Sequence, residues 1–134
     1  MPTDASKGGV LIYVKNGINY KPRYDLNLHK SKELESFFIE VINEKAKNEI
    51  IGNIYRHPCM EPSEFVNDYM KPLNDKLNKE NKRVYITGDF NFNLLNVSNN
   101  ETFEFFDTMM SSFLLPVITL TPYKNQQRKI HHNR

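Results

Sequence analysis

Short apolar runs with β-type alternation fill the first half of the chain, and a four-residue period takes over in the second. Gly9 to Lys15 (GVLIYVK) is short, β-branched and apolar, and predicts a buried strand. Asn16-Gly17 after it is a turn signal. Tyr20 to Lys32 is polar and irregular. Ser36 to Ile42 (SFFIEVI) alternates and predicts a second strand, and Glu49 to Tyr55 (EIIGNIY) predicts a third. The charged stretch Asn43 to Asn48 between them is short enough to join the two as an antiparallel hairpin.

Two prolines between His57 and Pro62 end the alternation. Phe65, Tyr69, Leu73 and Leu77 then recur every fourth residue, with Val66 and Met70 beside them, which predicts an amphipathic helix. Ser63 is its expected cap, and Pro72 is expected to kink or split it. Arg83 to Thr87 (RVYIT) predicts a fourth strand ending at Gly88-Asp89. Ser98-Asn99-Asn100-Glu101 has the spacing of a capping box. It opens a second helix with Phe103, Phe106, Met110 and Phe113 on one face. Leu114 to Thr121 is apolar and reads as a strand or an extended segment. Strands, helix, strand, helix is the order of a layered α/β or α+β domain. The first element starts within ten residues of Met1 and the last stretch has no clear partner, so the chain reads as cut at both ends.

Composition narrows the class. The chain has 134 residues, the size of one domain. It is 39% hydrophobic and 12% aromatic, too apolar for a disordered chain. The mean hydropathy is -0.62, and no apolar run approaches the roughly 20 residues of a membrane helix. Met1 to Gly9 lacks the apolar centre of a signal peptide. The lone Cys59 has no internal disulfide partner, as in a reducing compartment. These features predict an intracellular protein, nuclear or cytoplasmic. The formal charge of +2 does not by itself argue for nucleic acid. Lys124 to Arg134 holds four Lys/Arg, two histidines and no acid, which reads either as a phosphate-contacting tail or as a solvated terminus.

Two strand ends carry candidate chemistry. In Ile86-Thr87-Gly88-Asp89-Phe90-Asn91-Phe92-Asn93, a buried strand ends in glycine, and Asp89 and Asn91 follow one residue apart. Alternate side chains of an extended segment point the same way, so the two can converge on one small ligand. A carboxylate holds or deprotonates water, or ligates a hard cation. An asparagine donates to a phosphate oxygen without adding charge. Gly-Asp after a strand is more often only a turn. The second end is Asn53-Ile54-Tyr55-Arg56-His57-Pro58. There Tyr55 can bond a phosphate or leaving group and Arg56 can bind phosphate. A rim aromatic and a surface charge are the plainer alternatives.

Taken in order, these motifs resemble the middle of the endonuclease/exonuclease/phosphatase superfamily. The resemblance is closest to the endonuclease domain of non-LTR (LINE-type) retrotransposons. Asn-Ile-Tyr-Arg-x-Pro, an amphipathic helix and a strand ending Gly-Asp-Phe-Asn carry it. Gly8-Gly9-Val10-Leu11-Ile12-Tyr13-Val14, Leu34 to Val41 and Phe113 to Leu120 resemble that domain's flanking segments. The resemblance spans Gly8 to about Thr121. It implies a short leader over 1–7, a partial domain over 8–121 and a diverged basic tail over 122–134, with the partial domain forming the middle portion of a four-layer α/β sandwich.

The resemblance further implies roles. Tyr55 matches a tyrosine that contacts the scissile phosphate, Asp89 an aspartate that orients or activates water, and Asn91 an asparagine that holds the phosphate. Arg56 stands where a weaker phosphate contact is often basic. Mg2+ or Mn2+ is the implied cofactor and DNA the implied partner, with self-association through exposed edge strands. Departures accompany these matches. A metal-binding glutamate expected before Gly8 has no counterpart, and no Ser-Asp-His occurs. His131 and His132 follow Thr121 too soon to replace it. The implied function is a piece of a metal-dependent DNA endonuclease that is inactive alone. The rivals are a non-catalytic relic or weak nucleic-acid binder, and another phosphoesterase of the same superfamily.

Overall fold

The computed structural model describes residues 9–96 and 98–117. Five strands form one sheet: β1 (Tyr20–Pro22), β2 (His29–Lys30), β3 (Leu34–Val41), β4 (Glu49–Arg56) and β5 (Arg83–Asp89). Their order is β1-β3-β4-β5, with β2 also on β3. β3 and β4 form the expected antiparallel hairpin, from Leu34 opposite Arg56 to Val41 opposite Glu49. β4 and β5 run parallel, from Glu49 beside Arg83 to Tyr55 beside Asp89. A parallel neighbour requires a crossover, and the helical segment between them supplies it. The fold is thus a mixed sheet with helices packed on it, of the α/β class in the coarse sense.

Strand parity divides the sheet into two faces. Leu34 and Phe38 of β3 and Ile50 and Ile54 of β4 are fully buried on one face. They meet Phe65, Val66, Met70, Leu73 and Leu77 of the crossover and Phe105 of the last helix in a single core. At Gly52 on this face, an added Cβ would lie 2.1 Å from the Phe38 ring, so the glycine makes room for the aromatic. Glu35, Phe37, Asn53, Tyr55, Thr87 and Asp89 project from the other face, by the same parity.

The crossover helix starts two residues earlier than the expected cap implies. Glu61 occupies the N-cap with Pro62 at the first helical position, and Ser63 lies inside α1 (Pro62–Glu64) rather than capping it. Proline is pre-organised for that position. A π-helical stretch follows over Phe65–Met70, then α2 (Lys71–Lys79). Pro72 sits at the start of α2 and does not end the helix. It has no N–H to give and its ring crowds the carbonyl four residues back. The wider π turn immediately before it relieves both problems by a change of helical register.

Further expectations are corrected, beginning with Tyr20 to Lys32, which is irregular by its sequence pattern and yet supplies β1 and β2. Gly9 to Lys15 is not a buried strand: it pairs with none of the strands, and its residues alternate between exposed and half-buried. Tyr13 is 90% exposed. The segment touches the sheet's open face where Asn53 Nδ2 donates to the Leu11 carbonyl at 3.2 Å. In α3 (Asn100–Ser111) the cap is Asn99, whose side chain accepts from the Glu101 N–H at 2.9 Å, not Ser98. The buried face of α3 is Thr102, Phe105 and Thr108. The predicted apolar face points outward, with Phe103, Met110 and Phe113 exposed. Past Phe113, residues 114–117 form neither helix nor strand. The rest of the predicted apolar stretch and the basic tail lie outside the described residues.

Candidate functional site

The two sequence motifs meet where parallel strands β4 and β5 end together. Tyr55 and Asp89 are register partners there, on the open face. Glu35 of β3 is the antiparallel partner of Tyr55, and His29 of β2 is the partner of Glu35. The last row of the sheet therefore reads His29, Glu35, Tyr55, Asp89 across four strands. Directly opposed side chains in a sheet lie about 5 Å apart at Cβ, so this row is a continuous titratable ledge. The His57 ring stands edge-on to Tyr55, with centroids 6.3 Å apart and planes at 87°. Carboxyl ends of parallel strands are where open α/β sheets bind ligands.

The turn after β5 is held by its own sequence. Gly88 has φ +145°, and an added Cβ would lie 1.8 Å from the Ile54 carbonyl oxygen. No other residue fits there without moving β4. Asp89 follows, exposed, and its Oδ1 accepts from the Asn91 N–H at 3.1 Å. Phe90 and Phe92 turn inward. Phe92 stacks on Phe105 at 4.6 Å and Phe90 meets the same ring at 5.2 Å. The alternating Asp-Phe-Asn-Phe pattern is thus an anchor as well as a site, with two phenyl groups in the core and the carboxylate outside.

Asn91 and Arg56 do something different from what their types suggest. Asn91 takes φ +52°, a left-handed conformation that asparagine tolerates. Its Nδ2 donates to the Arg56 carbonyl at 2.5 Å. In return Arg56 Nη2 donates to the Asn91 carbonyl at 2.7 Å, Nε to Phe90 at 2.6 Å and Nη1 to Met60 at 2.5 Å. Arg56 is only 3% exposed. Its guanidinium lies 4.5 Å over the Phe92 ring and 5.8 Å from that of Phe65. Burial pushes its pKa below the ordinary value, with Glu101, Asp89 and Glu61 acting against that at a distance. The side chain expected to meet a substrate phosphate is committed to three backbone carbonyls on the core side. It fastens the end of β4 to the loop after β5.

Tyr55 and Asp89 are therefore brought together, and Asn91 adjoins them through its backbone while its amide is turned to β4. Arg56 is on the opposite face. Reasoning from sequence missed the Arg56 clamp, although parity signals it: Ile50, Gly52 and Ile54 are core-facing, and Arg56 continues that row. It also missed Glu35, His29 and His57, whose placement follows from register and not from any local motif.

The donor set does not fit a resident metal. Among the described residues no three of His, Cys, Asp and Glu are disposed to hold a metal ion. The ledge offers instead the Glu35 and Asp89 carboxylates on either side of the Tyr55 phenol, enough to hold a water and to donate one hydrogen bond to an anion. Among the described residues no helix is long and apolar enough to cross a membrane. Comparison with protein-family models, with curated proteins and with solved structures found no match.

Proposed function

We propose that the chain carries half of a phosphodiesterase site, of the metal-dependent DNA endonuclease type found in non-LTR retrotransposons, and that it does not cleave DNA by itself. The observation that carries this reading is the register pairing of Tyr55 with Asp89 at the end of the β4–β5 parallel pair. Two motifs 34 residues apart, each unremarkable alone, meet on the same face. In this reading Asp89 orients the attacking water and Tyr55 donates to a phosphate oxygen. Asn91 fixes the Asp89 carboxylate through its N–H and not by direct phosphate contact. The sheet and its helices are then the middle of a four-layer sandwich, with the face opposite the helices as the side toward the remaining layers.

Inactivity follows from the same chemistry. Hydrolysis of this type draws on Mg2+ or Mn2+ to stabilise the phosphate charge, and among the described residues no group of His, Cys, Asp and Glu makes that site. A site whose members act as a unit loses orders of magnitude in rate when one is missing. The test is a titration of the labelled protein with a short DNA duplex, read residue by residue by amide NMR. The reading predicts shifts that centre on Tyr55, His57, Asp89 and Asn91 and weaken with added salt. Shifts absent from this strand end, or confined to other faces, would overturn it.

A further inference from the structure

Among the described residues no strand pairs with the outer edge of β5. β5 is the terminal strand of the sheet order, and five of its seven residues are exposed, including Tyr85 at 51%. A strand edge with unpaired backbone groups is a template for another strand unless proline, a bulge or a cover blunts it. β5 has no proline. Along the helix side of this edge runs an apolar trough of about 500 Å3, between Val84 and Ile86 of β5 and Phe105, Met109, Leu115 and Val117. Leu115 and Val117 are exposed beyond it.

We propose that a second copy of this chain occupies the edge, β5 pairing antiparallel with β5 about a twofold axis at Ile86. The argument is charge complementarity in the strand itself. β5 reads Arg-Val-Tyr-Ile-Thr-Gly-Asp, with a cation at one end and an anion at the other. Antiparallel pairing about Ile86 sets Arg83 opposite the partner's Asp89, Val84 opposite the partner's Gly88 and Tyr85 opposite the partner's Thr87. Both ion pairs form at once, because a twofold contact repeats every interaction. Arg83 and Asp89 share the open face by parity, so they meet on the same side of the joined sheet. A parallel or shifted pairing separates them. On the other side, Val84 and Ile86 of each copy enter the trough, with glycine at position 88 leaving room for the opposing valine. Arg83 at present bonds Glu49 at 3.1 Å on its own sheet, and the partner's Asp89 arrives beside it. The pairing also carries the partner's Arg83 to the Tyr55–Asp89 ledge, a cation on the face where Arg56 is not.

The test is sedimentation of the intact chain over a range of concentration, beside Arg83→Glu, Asp89→Arg and the double exchange. The inference predicts a reversible dimer, weakened tenfold or more by either single change and restored by the double. Should a single variant fail to fold, register is read directly in a Cys59→Ser background. Mild oxidation is expected to cross-link a mixture of Tyr85→Cys and Thr87→Cys chains, and neither chain with itself, since opposed strand residues lie within disulfide reach. A monomer at every concentration, including one whose edge is covered by its own residues past Val117, overturns the proposal. So does a dimer indifferent to the charge changes, or cross-linking without this register. DNA binding at the Tyr55–Asp89 end is measured separately, and its failure leaves this outcome untouched.

Discussion

Arg56 is the residue on which the strand end depends. It brings a full charge into the core without a carboxylate in contact among the described residues, and is satisfied by the Met60, Phe90 and Asn91 carbonyls and by two aromatic faces. Only a planar fork reaches three acceptors in different directions. Arg56→Lys is expected to lose about 3 kcal/mol in urea unfolding, because at least two buried carbonyls are left unpaired. A loss within error of zero would show that the clamp does not hold the turn. At the far end of the sheet Glu40 is 1% exposed and is met by Arg23, Lys82 and Asn48. Burial alone would raise its pKa, yet the hydrogen bonds from Asn48, Lys82 and Arg23 outweigh burial and bring it from the ordinary 4.5 to about 2. A carboxylate depressed by folding stabilises fully above its unfolded pKa and stops doing so as pH falls through its folded one. The protein is therefore expected to lose stability between pH 4.5 and about 2. Glu40→Gln should flatten that part of the stability curve, and an unchanged slope would place the acid sensitivity elsewhere. Residue identity singled out Asp89 and Tyr55 in the sequence, and register sets them side by side. It misled at Arg56, because a charged side chain after a strand looks like surface until the parity of its neighbours is counted.

At the scale of elements, the hairpin, β5 and the two helical regions were legible, because each has several residues repeating with one period. The face of α3 was not. Phe103, Phe106, Met110 and Phe113 are three or four apart and so share a side, but Phe105 and Met109 define a competing stripe of equal apolarity. Packing decides between them: Phe105 stacks on Phe92 and lies 6.2 Å from Phe65, at the junction of the site loop, the crossover and the core. Phe105→Ala is accordingly expected to cost about 3–4 kcal/mol by thermal or urea unfolding, and Phe103→Ala less than about 1 kcal/mol. The reverse ranking would mean the helix presents the other stripe. Gly9 to Lys15 failed for a related reason. β-branched residues suit a strand, but a strand also needs a neighbour, and local sequence does not say whether one is present.

For the whole molecule, the sheet brings two sequence-distant motifs to one ledge and, among the described residues, leaves the outer edge of β5 without a neighbour. Topology explains both. The parallel placement of β5 beside β4 aligns their carboxyl ends, so Tyr55 and Asp89 coincide, whereas an antiparallel β5 would have sent Asp89 to the Glu49 end. That pairing direction goes with the helical crossover between them. Register was not legible, and with it the His29–Glu35–Tyr55–Asp89 row. Under the proposed function, this ledge is part of a phosphodiester-cleaving site that Tyr55 and Asp89 do not complete on their own. Plasmid nicking by the purified, folded protein with Mg2+ or Mn2+, beside Asp89→Ala, tests it most directly. Supercoiled plasmid is expected to stay intact with both proteins. Nicking by the unaltered chain that Asp89→Ala abolishes would contradict it, and would show that Tyr55 and Asp89 suffice with a metal that no cluster of their neighbours was expected to hold.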